Sequence, residues 1–384
     1  MVGNSGDPQP QKADGPYIWP GGFMYKEPTI TSWYAWRLAW KYPVLTLLHV
    51  KELKASVAKS LVTHYEDTFL TFPELEKLDA RAANNLSRRR GHLRLWGLKS
   101  LTPEIAAGLG SHKGQTLDLS GITELSPDVA KALAGGKRSA LWLGLTSLPV
   151  ELATILAEFQ GDLAFEIEGP LSVEAAVALR RHRGRLDLGK AKISIDAAEA
   201  LLGHEGAIGA IGVARLEPGV GDILARHNDE VLLMLEEIDS VALAKKLFSG
   251  GYHAQSVSNL RTISPEVAAA YAIAHPCYFN RLDALSLESA VELAKNDYGI
   301  DLPAISRLTP ELARALTDGK PPVHLSGIKS LEGPEALAVA EVLASAPAPV
   351  YLEFLERVSP EVLAVLRKKP TITLPPDTEL TIVP

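Results

Sequence analysis

From about Leu45 to the C-terminus, short stretches with every second residue apolar give way to longer ones with apolar residues every three or four, and the sequence cycles between the two. The clearest cycle is His92–Gly114. Leu93-Arg94-Leu95 alternates apolar and polar, as a strand with one buried face does. Leu98 and Leu101 follow at intervals of three and return to the same core. Thr102-Pro103-Glu104 then joins a good N-cap, a proline suited to the first helical position and an acid suited to the positive helix end. Ile105, Ala106 and Leu109 have helical spacing. His112-Lys113-Gly114 predicts a helix end with cationic side chains at the negative pole and a glycine stop. The pattern predicts strand, turn, short helix and turn in about 23 residues.

Other copies superpose on this one. Leu117-Asp118-Leu119 runs through Ile122 and Leu125 to Ser126-Pro127-Asp128, and Gln255-Ser256-Val257 through Leu260 and Ile263 to Ser264-Pro265-Glu266. Ile300-Asp301-Leu302 leads to Thr309-Pro310-Glu311, and Val350-Tyr351-Leu352 to Ser359-Pro360-Glu361. Weaker copies start at Leu163, Leu186, Ile211 and Leu233, and the copy at Leu141-Trp142-Leu143 has a shortened turn. The count is about fourteen units with periods of roughly 20–27 residues, the range of repeat arrays.

This pattern resembles the leucine-rich-repeat family, in particular its bacterial type. The resemblance covers about 340 of the 384 residues. It implies an α/β solenoid, a horseshoe of strand–turn–helix units with a parallel sheet on its concave face, acting as a protein-binding surface. One departure is visible: the asparagine ladder of the commonest members is replaced by Leu98, Ile122 and Leu260, so the buried turn must satisfy its backbone in another way.

The ends differ from the array. Residues 1–14 are polar and rich in Gly and Pro, as a disordered tail is. Residues 15–44 concentrate aromatics, and Trp33, Trp36 and Trp40 fall on one helical face with Arg37 and Lys41 between them. This segment reads as an N-terminal cap of the array or, alternatively, as an aromatic docking segment; an interfacial membrane helix is a third reading. The array is expected over 45–370. Residues 371–384 are expected to supply a last strand and an apolar end that covers the final core.

Net charge is −7, from 39 basic and 46 acidic residues spread along the chain, so a nucleic-acid backbone is not expected as the main partner. Arg88-Arg89-Arg90 is expected to be a solvated helix end. No run of apolar residues is long enough to span a membrane, and the first residues lack the basic start and apolar core of a signal peptide, so a cytoplasmic location is expected.

The chemistry motifs fail on inspection. The one cysteine, Cys277, aligns with Leu93 and is expected to be a small buried apolar residue. Of ten histidines, His112, His182, His204, His227 and His275 fall at the helix end of their units, a repeated C-terminal residue, with no accompanying Cys or carboxylate stripe. Gly135-Gly136-Lys137-Arg138-Ser139 has Lys131 where a phosphate loop needs its first glycine. No enzyme, cofactor or metal is expected.

A partner is expected on the strand face. The central residue of each L-x-L points away from the core, which gives Arg94, Asp118, Trp142, Asp187, Met234, Tyr278, Asp301, His324 and Tyr351, with Trp96 at the next outward position. This mixture of aromatics, acids and single cations suits a protein or peptide.

Overall fold

The computed structural model describes residues 22–62, 68–210, 212–249, 259–273 and 277–383, with Ser249 and Cys277 described by their backbone alone. The expected tail at 1–14, the copy at 255–257, Ile211, His275 and the side chain of Cys277 lie outside the described residues. The chain divides into two compact units, residues 1–192 with 200–209, and residues 193–199 with 210–384.

In the first unit, parallel strands pair in chain order: Gly22–Tyr25, Val44–Leu47, Phe69–Thr71, His92–Arg94, Thr116–Leu119, Ala140–Leu143, Asp162–Phe165 and Leu186–Asp187, then Ile208 and Gly209. The register keeps equivalent residues opposite one another: Leu93 faces Leu117, Leu117 faces Leu141, and Leu141 faces Leu163. A short helix follows each of these strands, such as Ala80–Leu86, Pro103–Gly110 and Pro127–Ala134. The core lies between sheet and helices. Leu93, Leu95 and Leu98 enter it from the strand and turn, and Ala106 and Leu109 from the helix, all almost fully buried. The second unit repeats the arrangement with strands Cys277–Tyr278, Ile300–Asp301, Val323–His324, Val350–Tyr351 and Ile372–Thr373, again parallel and sequential. These repeated units are leucine-rich-repeat-like in architecture.

The helix starts follow the punctuation of the sequence. Thr102 accepts from the Ile105 amide at 3.4 Å, Thr309 from Leu312 at 3.2 Å and Ser359 from Val362 at 3.3 Å, with proline at the first helical turn in each. The turn that lacks an asparagine ladder closes on itself. The Ile122 amide donates to Leu119 O at 2.9 Å, Ile328 to Leu325 O at 3.0 Å and Leu355 to Leu352 O at 3.1 Å, so an apolar residue fills the core while its own backbone makes the turn.

Successive turns approach so closely that glycine is required. A Cβ on Gly121 would stand 1.9 Å from the Trp96 carbonyl oxygen, and one on Gly144 would stand 2.0 Å from that of Ser120.

The aromatic segment is itself a repeat-like unit. Gly22–Tyr25 pairs with Val44–Leu47, and helix Ser32–Lys41 between them buries Ala35, Leu38 and Ala39. In the C-terminal segment, Ile372–Thr373 pairs with Val350–Tyr351, and Thr381–Ile382 pairs with Arg357–Val358 with both of its residues exposed. That strand belongs to a small second sheet with Ser330–Leu331, and Glu52–Leu53 pairs likewise with Lys77–Leu78.

The helix ends correct two expectations. Arg89 is not solvated. It is 2% exposed and donates to Leu61 O at 2.9 Å and Thr68 Oγ1 at 2.7 Å, while Arg88 and Arg90 remain exposed. His112, His182, His204 and His227 stand where the sequence places them, just past a helix, but they are buried and do not reach water. Each follows a buried leucine by three residues and donates its backbone amide to that leucine's carbonyl, as Arg89 does to Leu86, His112 to Leu109 and His182 to Leu179. The side chain then turns toward the preceding repeat. The His112 ring faces the backbone carbonyls of Gly91 and Ser87, and Asn296 at the equivalent place donates to Ala272 O at 2.9 Å. Ser87 and Ala272 stand at the C-terminal ends of their helices, where carbonyls lack an intrahelical partner. Gly136 takes the position once, and the Arg138 guanidinium fills the space, reaching Gly110 O at 3.2 Å and Leu133 O at 2.6 Å and lying 4.9 Å over Phe159. Arg89, Arg138 and Asn296 thus tie helix ends to the preceding repeat by hydrogen bonds to its backbone.

Candidate functional site

The outward face of the first unit's sheet holds a connected polar and aromatic cluster. Strand pairing sets Thr71 beside Arg94, Arg94 beside Asp118, Asp118 beside Trp142, and Trp142 beside Ala164. At one end, the Phe69 and His92 rings stack at 4.1 Å and within 2° of parallel. The Arg94 guanidinium lies 4.8 Å over Phe69 and 5.6 Å over Trp96, sandwiched between the two rings. The Trp96 indole N–H donates to Asp118 Oδ2 at 2.7 Å. The other carboxylate oxygen accepts from the Ser120 amide at 3.0 Å and its hydroxyl at 2.7 Å.

This geometry sorts the expected residues by role. Trp96 is 38% exposed and Trp142 41% exposed, large rings open to solvent on a rigid sheet. Asp118 is 2% exposed, because Trp96 lies across it; it orients the indole and presents no surface of its own. Asp187 is half-buried, accepts from the Gly189 amide at 3.1 Å and stands 3.8 Å from Arg185. The sequence reading missed Phe69, His92 and Ser120. Period-2 alternation carried one step back from Leu70 and Leu93 places Phe69 and His92 on the same face as Arg94, so the signal was there.

In the second unit, pairing aligns Tyr278, Asp301, His324 and Tyr351 in one row. His324 and Tyr351 stack at 4.1 Å and within 1° of parallel. Tyr278 is 52% exposed, Met234 is half-buried, and Tyr298, which precedes its strand and was not anticipated, is 61% exposed. On helix Ser32–Lys41, Trp33, Trp36 and Trp40 are 64%, 52% and 52% exposed, with Arg37 stacked 5.7 Å from Trp33.

A groove of about 430 Å³ lies at the helix starts of the first unit, lined by Glu52, Lys54, Glu76, Lys77, Asp79 and Thr102 among others. Its charges alternate in sign, so they focus no field on a ligand. Among the described residues, no helix is long and apolar enough to cross a membrane.

No protein-family model matches the chain, and no characterised protein aligns with it by sequence. Several solved structures are similar. A chain of the Toll–Spatzle complex of Drosophila matches 87% of this chain over 58% of its own length, with 11% identity and a TM-score of 0.39. A leucine-rich-repeat protein of Leptospira interrogans matches 91% of this chain over 87% of its own, with 19% identity and a TM-score of 0.34. An internalin of Listeria monocytogenes matches 86% over 79% of its own, with 12% identity and a TM-score of 0.34. The chain thus spans a little over half the length of the Toll–Spatzle complex chain and most of the other two. With sequential parallel pairing, an apolar self-closing turn and a short helix after the strand, this chain is a leucine-rich-repeat-like array.

Proposed function

We propose that this chain is a non-catalytic interaction protein whose outward strand face, centred on Trp96 and Trp142, docks a protein or peptide partner. The observation that carries the reading is that two open tryptophans sit on a face already fixed in place. Trp96 is held by Asp118 and by stacking on Arg94, and Trp142 rises from a paired strand. Rings held this way lose little freedom on binding, and buried tryptophan and arginine anchors dominate interface energies. The test is a native purification followed by binding measurements on the recovered partner. Trp142→Ala and Trp96→Ala should each weaken binding by roughly tenfold or more, and Trp142→Ala, which leaves the Trp96–Asp118 hydrogen bond in place, should do so with an unchanged melting temperature. Wild-type affinity in both variants sinks the reading.

The exposed Trp33, Trp36 and Trp40 support a second reading, a structural subunit held in its assembly through that helix. Joint replacement of the three by alanine separates the two: loss of the complex with the fold intact favours the helix, and a retained complex favours the strand face.

A further inference from the structure

We propose that Tyr278, Tyr298 and Asp301 form a pocket for the guanidinium group of an arginine on the partner. A cavity of about 200 Å³ is lined by Tyr278, Tyr298, Asp301, Pro322 and His324. Asp301 is half-buried and lines the cavity, and its Oδ1 is sealed from solvent with no hydrogen-bond partner among the described residues, so the carboxylate is left without a compensating donor. Both tyrosine rings are more than half exposed, so their faces and edges are open to an entering group. His324 cannot swing freely into the space, because its ring is stacked on Tyr351.

The chemistry selects a cation, and among cations a flat one. Burial is the main cause that raises the Asp301 carboxyl above its ordinary value, Glu353 reinforces it and His324 opposes it. A positive group seated beside the carboxylate supplies the compensation that burial withholds. A guanidinium is planar and weakly hydrated. It can lie against a tyrosine ring while an N–H points at the Asp301 carboxylate, whereas an ammonium must shed a tighter hydration shell to enter. An anion meets Asp301 directly and is repelled.

This inference rests on the reading of the strand face as a partner surface, yet it is tested apart from it. Saturation-transfer NMR on the full chain would use N-acetylarginine amide as probe, with its neutral citrulline counterpart and the lysine amide as comparisons. The expected result is transfer to the arginine side chain, none to citrulline and weaker transfer to lysine. Asp301→Asn, which keeps the side-chain shape, should weaken arginine binding about tenfold or more. Tyr278→Ala and Tyr298→Ala, at exposed positions, should weaken it too. Trp96→Ala and Trp142→Ala should leave it unchanged, so failure here overturns the pocket and not the docking face. Citrulline binding as well as arginine, lysine binding more tightly, or undiminished arginine binding by a folded Asp301→Asn protein each overturns the proposal.

Discussion

Burial holds the His112 imidazole neutral, with a pKa lowered to about 4; Arg138 beside it pushes the same way and the facing backbone carbonyls oppose. The sign of the consequence follows from linkage. A histidine whose folded pKa lies below its unfolded value binds its proton more readily in the unfolded chain, so its stabilising effect is complete above about pH 6.5 and is lost as pH falls toward 4. The cost at the acid end is on the order of 3 kcal/mol for this one residue. His182 is shifted in the same direction, again by burial first. Urea unfolding at several pH values should therefore show falling stability between neutrality and pH 4, and His112→Ala should flatten that slope while lowering stability at pH 7 by roughly 2–3 kcal/mol. An unchanged slope in the variant contradicts the assignment. Gly121 tests the turns in the same way. Gly121→Ala places a carbon against the Trp96 carbonyl, and urea unfolding should register a loss of at least about 1–3 kcal/mol. The sequence marked His112 by position but not its surroundings, and did not single out Gly121. Helix-end histidines and arginines read the same whether solvated or buried, because what buries Arg89 is the Thr68 hydroxyl and Leu61 carbonyl of another repeat.

At the scale of the element, the strand–turn–helix unit was legible because each part has its own local signal. Thr102-Pro103-Glu104 and its copies start helices, and the L-x-L strands set which side chains point outward. The short strands Glu52–Leu53 and Ser330–Leu331 were not legible, since two-residue pairings exist only once neighbouring repeats stack. The weaker middle copies prove better capped than their missing proline suggests. Ser172 accepts from Ala175 at 3.1 Å, Ser194 from Ala197 at 3.2 Å and Ser240 from Leu243 at 3.0 Å. The exception is helix Val220–Ala225, six residues long, preceded by Gly219 at φ 85° with no side-chain cap. Amide exchange should be fast in Val220–Ala225 and slow in Pro103–Gly110 and Pro127–Ala134, whose threonine or serine caps and prolines fix their starts. Equal protection in all three contradicts this reading.

At the scale of the whole molecule, the proposed function rests on faces that the repeats leave open. The core of each repeat is filled by leucine, isoleucine and alanine, so the outward strand positions are free to vary without loss of the fold. Ion pairs between repeats, such as Lys51 with Glu76 at 3.0 Å and Arg357 with Glu332 at 2.7 Å, are exposed and contribute little each. What the proposed reading assigns to recognition is the aromatic side chains on the strand face of each unit. Trp96 and Trp142 in the first and Tyr278 and Tyr351 in the second could be read from the sequence as outward residues. The burial of Asp118 beneath Trp96 could not, because it depends on which rotamer the indole adopts over the adjacent strand. The most direct test of the strand-face account is a photocrosslinking residue placed at Ala164, beside Trp142 on the strand face, and, in a parallel protein, at Val177, which is 50% exposed on helix Val173–Leu179. The account predicts that the native partner crosslinks through position 164 and not through position 177. Crosslinking through 177 alone would place the partner on the helices and contradict it.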